Sequence, residues 1–408
     1  MDIDLVILKI KLWLSKFGYL DLIVKYLLVK LSMLKFFTAH FNKKVIFNKY
    51  IFECFQGKSV CDSPFSIYKF LLKSKGNSSF VWVLDSEKHE FFEVLSNNVN
   101  TKVVIRGTKE YDSEYATSAF WITNCRLPFR FVKRKGQKYI QCWHGTPLKR
   151  LGLDVKASAY ATSSLKGMYF SYLADSRRYD HFISPSSYAS ERFCSSFGIG
   201  SDKIIEQGYP RNDALINDVN NLDKLKYIKL TLGIEPSKKV ILYAPTWRDN
   251  QYSKETASFY FNNPLENETF LGEFDDSYVF LFRGHYFSDS IETSSRFIDV
   301  SNYNDVNDLY LIADALITDY SSVFFDYSVL NRPIFFFMYD REVYEKEVRG
   351  FYIDIDQDLP GQIFYDSHSL SNALKSNVIV NHNSFNERFN PFEDGFSTTR
   401  VIEKIIEN

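Results

Sequence analysis

Apolar residues in this chain fall into short unbroken runs separated by longer stretches with helical spacing. Residues 45–47 and 51–52 read as strand, and Gly57 and Ser59 open a turn. A helix follows over 64–72, with Pro64 in the first turn, where a missing N–H costs nothing. The runs Phe80-Val81-Trp82-Val83-Leu84, Lys102-Val103-Val104-Ile105, Ala119-Phe120-Trp121-Ile122 and Tyr139-Ile140-Gln141 repeat the pattern. It restarts at Val240-Ile241-Leu242-Tyr243-Ala244, Tyr278-Val279-Phe280-Leu281-Phe282, Ala315-Leu316-Ile317-Thr318 and Pro333-Ile334-Phe335-Phe336-Phe337. Continuous apolar strands between helical stretches predict parallel sheets covered on both faces. The lysine-rich, weakly apolar stretch 217–239 separates the two halves. The expectation is an α/β protein with Rossmann-like domains at 45–225 and 226–408, and a ligand cleft beyond the strand ends.

Residues 1–44 stand apart. The first fifty residues carry nine Lys against three Asp, a local charge of +6, threaded through Leu, Ile, Val, Phe and Trp. A spanning helix needs about 20 mostly apolar residues, and charges interrupt every shorter run here. The stretches 5–14 and 22–30 read as basic amphipathic helices. Such helices lie in the plane of an anionic membrane, or else pack on the domain with their lysines solvated. No basic start followed by a clean apolar run marks a signal peptide.

Composition narrows the classes. With 45% hydrophobic and 24% charged residues the chain has the balance of a folded protein. Its net charge of −1 offers no global pull on a nucleic acid. Cys54, Cys61, Cys125, Cys142 and Cys194 show no CxxC spacing and suit reduced thiols.

Candidate chemistry clusters where strands end. In Gln141-Cys142-Trp143-His144-Gly145-Thr146-Pro147-Leu148-Lys149-Arg150 a histidine follows a strand on a tight loop with two cations close by. Imidazole exchanges protons near neutral pH, although a lone histidine is commonly structural. Tyr243-Ala244-Pro245-Thr246-Trp247-Arg248-Asp249 brings an arginine to a second strand end, and Arg283-Gly284-His285 brings another arginine and histidine to a third. In Thr318-Asp319-Tyr320-Ser321-Ser322-Val323, Ser321 or Ser322 is placed to cap a helix whose N–H groups suit a phosphate. Arg349 beside Gly350 adds a guanidinium fork. Asp354-Ile355-Asp356 has metal-pair spacing but reads as a solvated or structural strand. Together these blocks suit one anionic, phosphate-bearing ligand.

The blocks strongly resemble the CDP-glycerol glycerophosphotransferase family, which includes teichoic acid primases and polymerases and related capsule polymerases. The shared signatures are Trp143-His144-Gly145-Thr146-Pro147-Leu148-Lys149, Gly208-Tyr209-Pro210-Arg211-Asn212-Asp213, Tyr243-Ala244-Pro245-Thr246-Trp247-Arg248, Arg283-Gly284-His285, Thr318-Asp319-Tyr320-Ser321-Ser322 and Arg349-Gly350-Phe351, in family order across roughly 50–365. The resemblance implies a GT-B-like architecture, two Rossmann-type domains facing across a cleft, with the donor held mainly by the C-terminal one. It implies His144 as the base that activates the acceptor hydroxyl, with His285 as its catalytic partner. Arg248, Arg283, Thr318, Asp319, Ser321, Ser322 and Arg349 form the expected donor and pyrophosphate set, which His285 also contacts. Trp143, Gly145, Thr146, Lys149, Arg211 and Asp213 form the expected acceptor-side or supporting set. The implied partners are a CDP-glycerol or CDP-ribitol donor, a lipid-linked teichoic acid or capsular acceptor, and the inner leaflet of the cytoplasmic membrane. That makes a peripheral protein at the cytoplasmic face, and neither a cofactor, a metal nor a nucleic acid is expected. Many of the polymerases carry a further N-terminal domain, whereas this chain reaches the first shared strand by about Ile51, leaving open one added unit or many. The same fold would also serve a nucleotide-sugar glycosyltransferase, or an assembly factor without turnover. Histidines at both motif positions argue against the last.

Overall fold

A computed structural model describes residues 3–74, 76–156, 163–246, 252–253, 258–259, 263–284, 296–347, 350–376 and 378–407. The chain divides into two compact units, Met1–Arg211 with Phe396–Asn408, and Asn212–Gly395.

The first unit holds β1 (Ile46–Glu53), β2 (Ser79–Leu84), β3 (Thr101–Ile105), β4 (Ser118–Thr123), β5 (Lys138–Gln141), β6 (His181–Ser184) and β7 (Ile204–Glu206). They pair in parallel in the order β3-β2-β1-β4-β5-β6-β7. The two expected strand fragments at 45–47 and 51–52 are thus one strand. Polar Asn48 and Lys49 interrupt the apolar run only in sequence: the Lys49 ammonium leaves the sheet to reach Thr117 Oγ1 at 3.1 Å. Tyr50 beside it is buried and stacks on Phe120, with ring centroids 4.5 Å apart. Helix α1 spans Ile3–Leu14, α2 spans Gly18–His40 and α3 spans Asp62–Ser74. On one face of the sheet, Phe52, Tyr68, Phe80 and Trp82 form an aromatic core with α3. Burying such a ring removes 150–250 Å² of surface from water, about 25 cal/mol for each Å².

Sequence order places the last helix, Ser397–Glu407, with the second half. Its apolar stripe instead joins the first core: Val401, Ile402 and Ile405 are buried with α3, and Lys138 Nζ donates to the Ile405 carbonyl at 3.0 Å. Packing therefore puts the junction at Arg211/Asn212, ahead of the 225/226 boundary read from composition.

Helix α2 lies against the helix Leu165–Ser176. Buried Asp21 accepts bonds from Ser164 N at 2.8 Å and Ser164 Oγ at 2.5 Å, and Phe36 packs on Phe131. Its other face leaves Ile23, Leu27, Leu28, Leu31 and Leu34 exposed, Leu31 at 64%. Among the described residues no helix is long and apolar enough to cross a membrane.

The second unit holds β8 (Lys239–Ala244), β9 (Tyr252–Ser253), β10 (Ser258–Phe259), β11 (Tyr278–Phe282), β12 (Phe297–Asp299), β13 (Ala315–Thr318), β14 (Ile334–Phe337) and β15 (Gln362–Phe364). Six of these form a parallel sheet ordered β12-β11-β8-β13-β14-β15, and β9 and β10 make a short antiparallel pair. Phe270, Phe280, Phe297 and Phe335 fill its core.

The loop after β1 has no room for error. Gly57 has φ +88°, and a Cβ there would lie 2.7 Å from the Asp85 amide nitrogen. Gly57→Ala is predicted to destabilise the protein by about 1–3 kcal/mol in urea titration. An unchanged midpoint would contradict this packing.

Candidate active site

In the first sheet, β2 and β3 grow outward on one side of β1 while β4 to β7 grow outward on the other. Loops leaving β1 and β4 at their carboxyl ends therefore diverge, which opens a crevice at that switch point. The β1 loop is unusual there. Phe55, Gln56 and Asp62 have φ of +44°, +62° and +61°, a region in which L-residues are strained. Asn124, directly after β4 and fully buried, fastens it: Oδ1 accepts from Phe55 N at 2.9 Å, and Nδ2 donates to Asp62 Oδ2 at 2.8 Å. Asp62 Oδ1 in turn faces Arg211 Nη1 at 3.3 Å, both side chains buried.

After β5 the chain turns through Trp143 at φ +50°, whose N–H donates to Gln141 Oε1 at 2.9 Å. The indole is buried, edge-on to Phe197, and its face stacks on the His144 ring with centroids 4.2 Å apart. Trp143 thus works as a shelf under the imidazole. His144 Nδ1 lies 2.8 Å from the Asn124 backbone oxygen. A carbonyl only accepts, so Nδ1 carries the proton, and neutral His144 keeps its lone pair on Nε2. Nε2 has no protein partner among the described residues.

His144 is open to solvent on one side while protein crowds its other sides. That crowding, with smaller contributions from Arg211 and Arg126, pulls its pKa below the ordinary imidazole value. The Asn124 carbonyl and the Asp62 carboxylate pull the other way. Two residues earlier, burial pushes the Cys142 thiol well up, so it is no nucleophile at neutral pH, and Cys125 is pushed up to about 12.

The remaining expected acceptor-side residues separate by environment. Thr146 is buried, and its hydroxyl has no hydrogen-bond partner among the described residues. Gly145 and Lys149 are half-buried. Arg211 is 5% exposed, its guanidinium 3.8 Å from the Tyr209 ring centroid, so it serves as an interior counter-charge. Asp213 opens the short helix Asp213–Asn217 of the second unit.

The second sheet reverses between β8 and β13, and two expected donor residues lie there. Thr318 Oγ1 donates to the Ala244 carbonyl at 2.8 Å, and buried Asp319 accepts from Thr246 N at 2.7 Å and Tyr320 N at 2.6 Å. Both hold the loops together. Arg283 Nη1 donates to the carbonyls of Val300 and Tyr303, which commits that nitrogen to the fold. Ser322 occupies the position before the helix Val323–Tyr327, yet its side chain makes no capping bond, contrary to the expected cap. The cause is local: Ser322 has φ −77° and ψ +2°, a turn conformation in place of the extended one a capping hydroxyl needs. The helix is five residues long, so its dipole is weak. Ser321 and Ser322 are partly exposed. Arg248, His285 and Arg349 lie outside the described residues. Asp356 pairs with Arg341 at 2.6 Å, and Asp354 Oδ1 accepts the Asp356 N–H.

Sequence reasoning missed Asn124 and Asp62. The available signals were a polar residue directly after an apolar strand and an acid at a helix start, both common elsewhere.

A loop histidine whose Nε2 is left open suits a transferase that takes a proton from an attacking hydroxyl, and the likeness to known proteins narrows that class. A family model described as CDP-Glycerol:Poly(glycerophosphate) glycerophosphotransferase matches residues 35–407, and the chain belongs to that family. A Staphylococcus aureus teichoic acid glycerol-phosphate transferase is 36% identical over 372 residues, covering 89% of this chain and 93% of that protein. A Staphylococcus epidermidis teichoic acid poly(glycerol phosphate) polymerase is 39% identical over 350 residues, covering 85% of this chain, which spans only 48% of that protein's length. The solved structure of the wall teichoic acid polymerase TagF matches with a TM-score of 0.82 at 35% identity, over 94% of this chain and 95% of that one.

His144 is predicted to titrate below the ordinary imidazole value in a nitrogen-15 NMR pH series, assigned by loss of its signals in His144→Gln. Titration at or above that value would show that the crowding is not felt.

Proposed function

We propose that the chain transfers glycerol phosphate from CDP-glycerol to the terminal hydroxyl of a lipid-linked teichoic acid chain, releasing CMP. The observation that carries the reading is the free Nε2 of His144, held basic by the Nδ1 bond to Asn124 at the switch point of the first sheet. Family membership and the relatives named for glycerol phosphate supply the chemical class.

In this reading the acceptor hydroxyl gives its proton to Nε2 as its oxygen attacks the phosphorus bearing glycerol. A new P–O bond forms, the P–O bond to CMP breaks, and the electron pair leaves on the CMP phosphate. General-base help of this kind is worth about 10²–10⁴ in rate. Charge growing on the leaving and equatorial oxygens calls for fixed donors. Ser321 and Ser322, both partly exposed residues, suit that role, with Arg248, His285 and Arg349 as the expected imidazole and guanidinium partners. Thr318 and Asp319 position the loop.

The lipid-linked acceptor places the enzyme at the cytoplasmic face of the membrane. The exposed apolar face of α2 with Lys30 and Lys35, and Lys9 and Lys11 on α1, suits an interfacial helix on anionic lipid. Replacing Leu27 and Leu31 by Glu is predicted to cut pelleting with anionic vesicles roughly tenfold or more, while CMP release in free solution persists. Full pelleting of the double variant would remove this face from the membrane account.

The activity test offers the protein CDP-glycerol, CDP-ribitol and UDP-sugars with a polyol-phosphate acceptor and follows free nucleotide. CMP from CDP-glycerol is expected to dominate, and His144→Ala should slow it about 10²–10⁴-fold. Preference for a UDP-sugar, or full turnover by the variant, would overturn the proposal.

A further inference from the structure

We propose that Asp62 is a positioning residue for His144, acting through Asn124, and that Arg211 is its balancing counter-charge. The inference rests on His144 being the base, and extends it to three residues that do not touch the reacting atoms.

The connection is continuous. The imidazole is aimed by the Asn124 carbonyl at 2.8 Å. That peptide cannot rotate freely, because the Asn124 side chain is fixed at both ends by Phe55 N and Asp62 Oδ2. The direction of these bonds also settles the amide: the Phe55 N–H needs an oxygen and the carboxylate needs an N–H. Asp62 is held by its own Ser63 N–H and by Arg211, which anchors its backbone N–H on Ser63 Oγ at 3.4 Å. Loss of any link loosens the carbonyl that sets the histidine tautomer.

The backbone points the same way. Asp62 takes φ +61°, which costs about 1–3 kcal/mol for an ordinary residue and less for Asp or Asn. A merely structural acid at a helix start needs no such conformation. Here the conformation places both carboxylate oxygens on working partners: one on Asn124, the other on Arg211.

The charges act on His144 with opposite signs. A carboxylate nearby stabilises imidazolium, and a guanidinium destabilises it. Asp62 opposes Arg211 and Arg126 around this ring. Lys58 is carried by the β1 loop, and Lys149 and Arg150 follow on the histidine's own loop. A base works only when deprotonated, so the acid limb of kcat/KM tracks the His144 pKa.

The experiment measures kcat/KM for CDP-glycerol against pH in the full chain for wild type, Asp62→Asn, Arg211→Gln and His144→Asn, with melting curves as a check of folding. Asp62→Asn keeps size and tolerates the left-handed backbone. It is expected to move the acid limb to lower pH and reduce kcat at least tenfold while KM for CDP-glycerol holds. Arg211→Gln is expected to move the limb to higher pH. Opposite movements are what a role in packing alone does not produce. Acid limbs left in place in both folded variants overturn the inference. Should Asp62→Asn fail to fold, Arg211→Gln decides alone by the direction of its limb. His144→Asn separates the two levels: wild-type turnover there would defeat the base reading itself, whereas its inactivity beside unmoved limbs would defeat only the part given to Asp62.

Discussion

The hydrogen bond from His144 Nδ1 to the Asn124 carbonyl decides which nitrogen of the imidazole can do chemistry. Neutral histidine has one N–H and one lone pair, and a backbone oxygen accepts only from the N–H. At 2.8 Å the bond leaves the lone pair on Nε2, where no protein group competes for it among the described residues. The rest of the first unit's chemistry follows. Trp143 shelves the ring, Asn124 is locked by its own side chain, and a buried Asp62–Arg211 pair locks Asn124. A buried pair of this kind is rarely a net source of stability, because both ions lose their water. Its value here lies in holding one orientation.

Parallel sheets explain where this happens. Strands of one direction put all their carboxyl ends on one edge, and reversal of chain order beside the central strand parts the loops there. Both sheets have such a point, between β1 and β4 and between β8 and β13. The two are furnished differently. The first presents an imidazole with a free nitrogen. The second ties its loops with Thr318 and Asp319 and leaves two serines partly exposed, which suits binding better than proton transfer.

The fold was largely legible because buried parallel strands are continuous apolar runs, and those runs are plain in the sequence. The exposure of His144 was legible for the same reason: a histidine on the loop past a buried strand has few places to point. The network behind it was not. Asn124 acts partly through its backbone oxygen, which has no side-chain signature, and Asp62 lies 62 residues away from it in sequence. The final helix shows its amphipathic stripe openly, but periodicity does not say which sheet it will cover, and Val401, Ile402 and Ile405 cover the first. Ser322 failed as a cap because residue type reports the capacity to cap, whereas the backbone angle decides whether it does. The partners of Arg211 and Arg283, a carboxylate and two carbonyls, come from other segments and leave no trace beside them in sequence.

The tautomer of His144 tests the central claim most directly. Long-range nitrogen-15 to proton NMR on histidine-labelled protein, above the pKa of His144, distinguishes a ring protonated at Nδ1 from one protonated at Nε2. The account predicts the Nδ1–H form, with Nε2 showing the shift of an unprotonated nitrogen. A neutral His144 carrying its proton on Nε2 would contradict it, since the nitrogen assigned to take the acceptor's proton would already be occupied.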